Sequence, residues 1–263
     1  MSAPTTFIER IVFILENRGM SMLQGAGNTL LIAFVSTVIG CIIGFIVGII
    51  MTIPLDKRDN IFKRIILRVV RLILHVYIEV FRGTPMMVQA MFIYYGSIMV
   101  FNIHMPFMIA AFFIVSINTG AYMAETVRGG ILSIDPGQSE GAKAIGMTHV
   151  QSMTYVISPQ ALRNIMPQIG NNLIINIKDT CVLSVISVVE LMFASRAVAG
   201  AYLMYFETYT ITMVMYLAMT LFFSRLLRYF EKKMDGNKSY DLATHDTLAH
   251  TSGMVSYREE KRQ

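Results

Sequence analysis

Apolar residues run along this chain in stretches too long for the core of a soluble domain. Ser21 to Leu55 is 35 residues without a charge, and Gly83 to Ala124 is another 42. About 20 apolar residues span the hydrocarbon core of a bilayer, so the pattern predicts membrane-crossing helices. Windows of this kind fall at roughly residues 26 to 53, 66 to 96, 106 to 127, 166 to 189 and 208 to 228, which gives an all-α polytopic membrane protein with five transmembrane helices. Ahead of them, Phe7, Ile8, Ile11, Val12, Ile14 and Leu15 recur at helical spacing and predict a short amphipathic helix within an external segment, residues 1–24. The main domain covers residues 25–230. From Glu231 to Gln263 the chain turns polar and mixed in charge and is expected to form a cytoplasmic tail.

Composition agrees: of 263 residues 54% are hydrophobic and only 15% charged, with a mean hydropathy of +0.56. The net charge of +5 reflects membrane orientation rather than a nucleic-acid groove, because the cations are segregated. Sixteen Lys and Arg fall on one side of the five expected crossings and three on the other, which places the C-terminus in the cytoplasm and the N-terminus outside. Cys41 and Cys181, the two cysteines, both lie in apolar segments, so neither a disulfide framework nor a Cys-rich metal site is expected.

Three charges sit near mid-depth of an expected crossing: Arg82, Lys178 and Asp179. A charge there is costly unless it has a partner or faces a wet cavity. Arg82 leads directly into Gly83-Thr84-Pro85, and proline removes an amide donor and disfavours helix at the residue before it, so a break is expected. Transporters place substrate at such breaks. A guanidinium fork suits a carboxylate and Asp179 suits an ammonium, so the pair points to an amino acid, with Asn118 nearby on the third crossing. The competing assignment pairs Arg82 with Glu79 and gives Lys178 or Asp179 to a buried bridge between helices. In the first crossing Ser36, Gly40, Gly44 and Gly48 form a small-residue stripe suited to packing within the chain or between subunits, the former favoured.

The loop 128–165 is too long to be a mere connector. Glu140 to Met147 is expected to form one short helix and Thr148 to Ile157 a second that ends before Pro159, with Ala142, Ile145 and Met147 exposed for docking or packed beneath the bundle. Glu140-Gly141-Ala142, then Gly146, then Val156-Ile157-Ser158-Pro159 resembles the EAA coupling motif of bacterial ATP-binding-cassette importer permeases, with Gly141, Val156 and Ser158 departing from its usual alanine, isoleucine and leucine. Glu79 to Pro85, Gln89, Tyr94-Tyr95-Gly96, Asn118 to Tyr122 and Lys178-Asp179-Thr180 are similar to the polar amino-acid subgroup of that family.

The resemblance implies a permease subunit in the bacterial plasma membrane. Arg82, Thr84 and Asn118 would approach the substrate carboxylate and Asp179 its cationic group, while Glu140, Gly141, Ala142, Gly146 and Pro159 would belong to the ATPase-coupling loop. It implies a separate ATPase subunit, an extracytoplasmic amino-acid-binding protein and a second permease subunit, identical or different. No phosphate-binding G-x-x-x-x-G-K-[S/T] loop occurs in the sequence, so no cofactor is expected on this chain, and ATP and Mg would be used by the partner. A stand-alone secondary transporter is the alternative, although no internal repeat is evident. A channel lacks a filter sequence, and His75, His104 and His149 have no neighbours suited to hydrolysis.

Overall fold

The structure, a computed structural model, describes residues 6–54 and 60–234. The described part of the expected external segment, residues 7–24, is not a separate helix. Phe7–Thr52 is one helix, α1, of 46 residues, capped by Thr6, whose hydroxyl accepts from the Glu9 amide at 3.3 Å. The polar stretch Glu16-Asn17-Arg18-Gly19 interrupts hydropathy but contains no proline, so helical hydrogen bonding continues through it. At 1.5 Å per residue α1 is roughly 69 Å long, about twice the thickness of a hydrocarbon core.

The expected second crossing is split into α2 (Ile61–Gly83) and α3 (Met86–Phe101), separated at Thr84-Pro85. α4 (Phe107–Leu132) packs against α1 along the glycine stripe. A Cβ added to Gly40, Gly44 or Gly48 would meet Thr119, Met123 or Val127 at 2.6, 2.3 and 2.7 Å, so these glycines permit the close approach of the two helices. The stripe is thus an intrachain interface.

α5 (Pro136–Ala144) and α6 (His149–Ser152) form the connecting loop. A single π turn, Met153–Ile157, joins α6 directly to α7 (Ser158–Asp179). A 3-10 segment, Thr180–Ile186, follows, then α8 (Leu191–Tyr202) and α9 (Tyr205–Met234). The expected fourth crossing, 166–189, therefore begins earlier and is bent: His149–Ile186 and Leu191–Tyr202 meet at 55°. Among the described residues three helices, within Phe7–Thr52, Phe107–Leu132 and Tyr205–Phe230, are individually long and apolar enough to cross a membrane, and the bent pair is a fourth candidate. The count of five is not reached by uninterrupted helices, because α2 carries too many charges and α3 has only 16 residues.

Contacts divide the chain into Met1–Leu227 and Arg228–Gln263. Of the second unit, described residues extend to the end of α9 at Met234, and most of the expected tail, residues 235–263, lies outside the described residues. In the first unit one apolar cluster gathers Ile32, Ala111, Ile114 and Leu183, and another joins Ile14 and Met22 of α1 to Leu191, Val198 and Ile211.

Candidate substrate site and coupling loop

At the end of α2 the helix leaves carbonyls without a following amide, since Pro85 has none to give. Side chains make up the loss. Gln89, 6% exposed, donates through Nε2 to the carbonyls of Phe81 and Thr84 at 2.9 and 2.8 Å and to the Thr84 hydroxyl at 2.8 Å. Asn118 of α4 donates to Gln89 Oε1 at 2.9 Å and to the Phe81 carbonyl at 3.3 Å. Thr84 donates to the Val80 carbonyl at 2.7 Å. The break is thus held by a polar network in which Thr84 and Asn118 meet through Gln89, whose role at the break spacing alone does not reveal. An apolar-walled cavity of about 340 Å³ adjoins it, lined by Val80, Phe81, Thr84, Gln89, Phe92 and Ile93 among others.

Arg82 is exposed on the surface of this single chain, its guanidinium carbon 5.7 Å from the Tyr122 ring centroid of α4. Among the described residues it forms no ion pair, so the alternative bridge to Glu79 is not made. Lys178 and Asp179 are likewise exposed, at the C-terminal end of α7 where it tightens into the 3-10 segment, and not midway along a helix. Neither makes a bridge to another helix among the described residues. Arg82 and Asp179 do not touch.

Their levels are linked through α4. Asn118 reaches the break, and the next residue, Thr119, bonds Asn176 of α7, three residues before Asp179: Asn176 Nδ2 donates to Thr119 Oγ1 at 3.0 Å and to Thr37 Oγ1 of α1 at 2.8 Å. Consecutive residues of one helix thus place the break and the last turn of α7 at one depth.

A buried acid escaped the sequence reading. Glu190 is fully buried, accepts from the amides of Met192 and Phe193 at 2.8 and 2.6 Å as the N-cap of α8, and accepts from Tyr216 of α9 at 3.0 Å. The neighbouring turn is tied to α1 by Asn28, which donates to the Val189 carbonyl at 2.7 Å, and by the Leu191 amide donating to Thr29 at 3.2 Å. The signal is a single carboxylate inside the apolar run Thr180 to Ala194, one residue beyond the crossing expected over 166–189.

In the connecting loop, Asp135 caps α5, accepting from Gly137 at 2.7 Å, so the first loop helix starts at Pro136, four residues ahead of Glu140, and ends at Ala144, short of Met147. Gly146 has φ +82, a left-handed value that suits glycine, with its amide bonded to the Lys143 carbonyl and that of Met147 to Ala142, both at 3.0 Å. Thr148 and Gln151 then form a capping box that starts the second helix. The expected docking face divides: Ala142 is buried and Met147 half-buried, whereas Glu140, Gly141 and Ile145 are exposed, Ile145 at 77%. The periodicity could not show that α5 packs beside the π turn with Ala142 buried. Pro159 does not end the second helix. It sits in the first turn of α7 directly after the π turn, where the Ser158 amide bonds back to the Met153 carbonyl, a widened turn that takes a proline without ending the helix.

A helical membrane bundle with a polar-stitched helix break, a capped two-helix loop at one end and a continuous helix between them defines the class: a membrane permease. The chain belongs to the family of binding-protein-dependent transport system inner membrane components, whose family model matches residues 44–236. It is 42% identical over 160 residues to the glutamine transport system permease protein GlnP of Escherichia coli K12, covering 60% of this chain and 73% of that protein. It is 37% identical over 160 residues to the probable amino-acid permease protein YxeN of Bacillus subtilis strain 168, covering 60% of this chain and 71% of that protein. Its fold matches a chain in the crystal structure of an amino acid ABC transporter with histidines, at a TM-score of 0.74 and 34% identity over 88% of this chain and all of that one. A chain of the inward-facing MetNI methionine ABC transporter shares the fold at a TM-score of 0.60 and 18% identity, covering 79% of this chain and 95% of that one. Family membership decides between the two sequence readings in favour of an importer permease over a stand-alone secondary transporter.

Proposed function

We propose that this chain carries a polar or charged amino acid inward across the bacterial plasma membrane, as one of two permease subunits driven by a separate ATPase. The single observation that favours this reading is the polar-stitched break at Thr84-Pro85, set by Asn118 and Thr119 at the level of the turn that ends in Asp179. Arg82 there offers its guanidinium to a carboxylate, Thr84 and Asn118 would join it by exchanging their bonds to Val80, Phe81 and Gln89 for the ligand, and Asp179 offers an acceptor for an ammonium or a basic side chain. The similarity to amino-acid permeases supports that substrate class.

Energy enters elsewhere. ATP and Mg are used on the partner ATPase, which docks on the loop formed by α5 and α6, with Glu140, Gly141 and Ile145 outward and Ala142, Gly146 and Pro159 shaping the scaffold. A binding protein delivers substrate at the outer face, the N-terminus lies outside, and the C-terminus lies in the cytoplasm. The continuous helix from His149 to Asp179 links the docking loop to the substrate level, so a displacement at one end reaches the other.

The test is uptake by the assembled complex in proteoliposomes. Arg82→Gln and Asp179→Asn should each lower uptake at least tenfold while ATPase retention is unchanged. Gly146→Glu should instead release the ATPase from the membrane. Full uptake in both charge-neutralised variants would overturn the site.

A further inference from the structure

The charges of α2 are arranged more strictly than membrane orientation demands. At 100° per residue, Arg64, Arg68, Arg71, His75, Glu79 and Arg82 all fall within a wedge of about 80° that runs roughly 27 Å along the helix. The rest of the helix is apolar apart from Lys63 near its start and Tyr77, whose hydroxyl donates to the Ile117 carbonyl of α4 at 2.6 Å, with Leu67, Leu74 and Ile78 on the packed flank and Ile66, Ile73 and Val80 on the outward one. Arg71 is half-buried and bonds the Ile53 carbonyl at the end of α1, while Arg68, His75, Glu79 and Arg82 are exposed.

Positive residues near a membrane surface can reach water along their own stems. His75, Glu79 and Arg82 cannot all do so, since they stand roughly 21 to 32 Å along α2 from its first residue. Facing acyl chains, such a row would be prohibitively costly. α4 lies beside the wedge and extends its polar character without sealing it: Tyr122 lies against Arg82, and Glu125, paired with Arg128, lies within Coulombic reach of both Arg82 and His75. The wedge starts at the helix break and ends at the loop-side end of the bundle.

We propose that this wedge is the wet wall of the route by which the amino acid leaves the break for the cytoplasm, and that Arg68 and His75 receive its carboxylate on the way. The proposal deepens the transport reading and rests on it for direction. It assigns a task to cations that a substrate site at Arg82 leaves unused, and a mixed-charge wall with a cationic excess suits a zwitterion that is held weakly enough to move on.

Cysteine accessibility tests it on the permease–ATPase complex in lipid nanodiscs, where reagent reaches both faces. With Cys41 and Cys181 replaced by alanine, single cysteines would be placed at Arg68, His75 and Glu79 and, on the exposed apolar flank, at Ile73 and Val76. An anionic thiosulfonate should modify the three wedge positions at least tenfold faster than the two flank positions, and at His75→Cys should outpace a cationic reagent of equal size. Equal rates on wedge and flank, or an unreactive His75→Cys, would overturn the wet wall. A preference for the cationic reagent would overturn carboxylate transfer. As a second measurement, Arg68→Leu should lower maximal uptake several-fold at unchanged KM, and Arg68→Lys should restore it; normal uptake in Arg68→Leu would count against the role. Labelling does not depend on uptake, so loss of the Arg82 and Asp179 site would be recognised separately.

Discussion

Gln89 illustrates how one side chain holds a helix break open. Its amide nitrogen serves two carbonyls and a hydroxyl, and its oxygen takes the Asn118 donor. Leucine at 89 fills similar space but removes the side-chain donor to the Thr84 carbonyl and leaves the Phe81 carbonyl and Asn118 with only their bond to each other, at a cost of about 1–3 kcal/mol for each group stranded. Gln89→Leu should therefore lower the melting temperature of the detergent-purified complex and reduce uptake, whereas Thr84→Val, at an exposed position, should spare the melting temperature more. Equal melting of Gln89→Leu and wild type would show that water replaces the amide. Thr84 became a candidate only through the family resemblance, whereas Arg82 and Asp179 were legible as candidates because a charge in an apolar run is conspicuous by itself. Gln89 and Glu190 were not, because their importance lies in carbonyls and amides brought to them by the fold, which no single position advertises.

On the proposed transport reading, the element that carries energy transfer is the helical path from His149 through the π turn to Asp179. Thr154 and Tyr155 lie on its exposed side within the π turn, so replacing both by glycine removes no buried contact while loosening the backbone by about 1 kcal/mol each. This double variant should keep binding the ATPase and keep hydrolysing ATP, yet transport at least tenfold less amino acid per ATP; an unchanged ratio would show that force does not travel along this path. The sequence supplied the pieces but joined them wrongly. Pro159 was read as a terminator because proline lacks a donor, and the π turn that accommodates it has no pattern in hydrophobic periodicity. In the same way the external segment was set apart from the first crossing at residue 24, although the charges and glycine of Glu16 to Gly19 do not stop a helix whose flanks are packed. The break at Pro85 was placed correctly because it coincides with a true gap in donors.

Over the whole molecule, crossing helices and midplane charges alone were compatible with a transporter energised by an ion gradient. The family assignment removes that option, and it carries a measurable expectation. Reconstituted by itself, the chain should accumulate no amino acid under an imposed sodium or proton gradient, and uptake should appear only when the ATPase, ATP and a substrate-loaded binding protein are supplied; gradient-driven accumulation by the chain alone would contradict the assignment. The fold class was legible because hydrocarbon thickness fixes helix length. The number of uninterrupted crossings was not, since α2 spends one whole face on charge and α7 turns into a 3-10 segment before the bilayer would require it to end.

The glycine face of α1 has a consequence for how the protein is made. Its partner surface, Thr119 to Val127, lies on a helix that leaves the ribosome only after α2 and α3 have been synthesised. Until then the groove along Gly40, Gly44 and Gly48 has lipid or the insertion machinery as its neighbour, and the first helix waits in the bilayer unpaired. A chain that stalls anywhere between Thr52 and Phe107 therefore exposes the groove along Gly40, Gly44 and Gly48 without the helix that fills it.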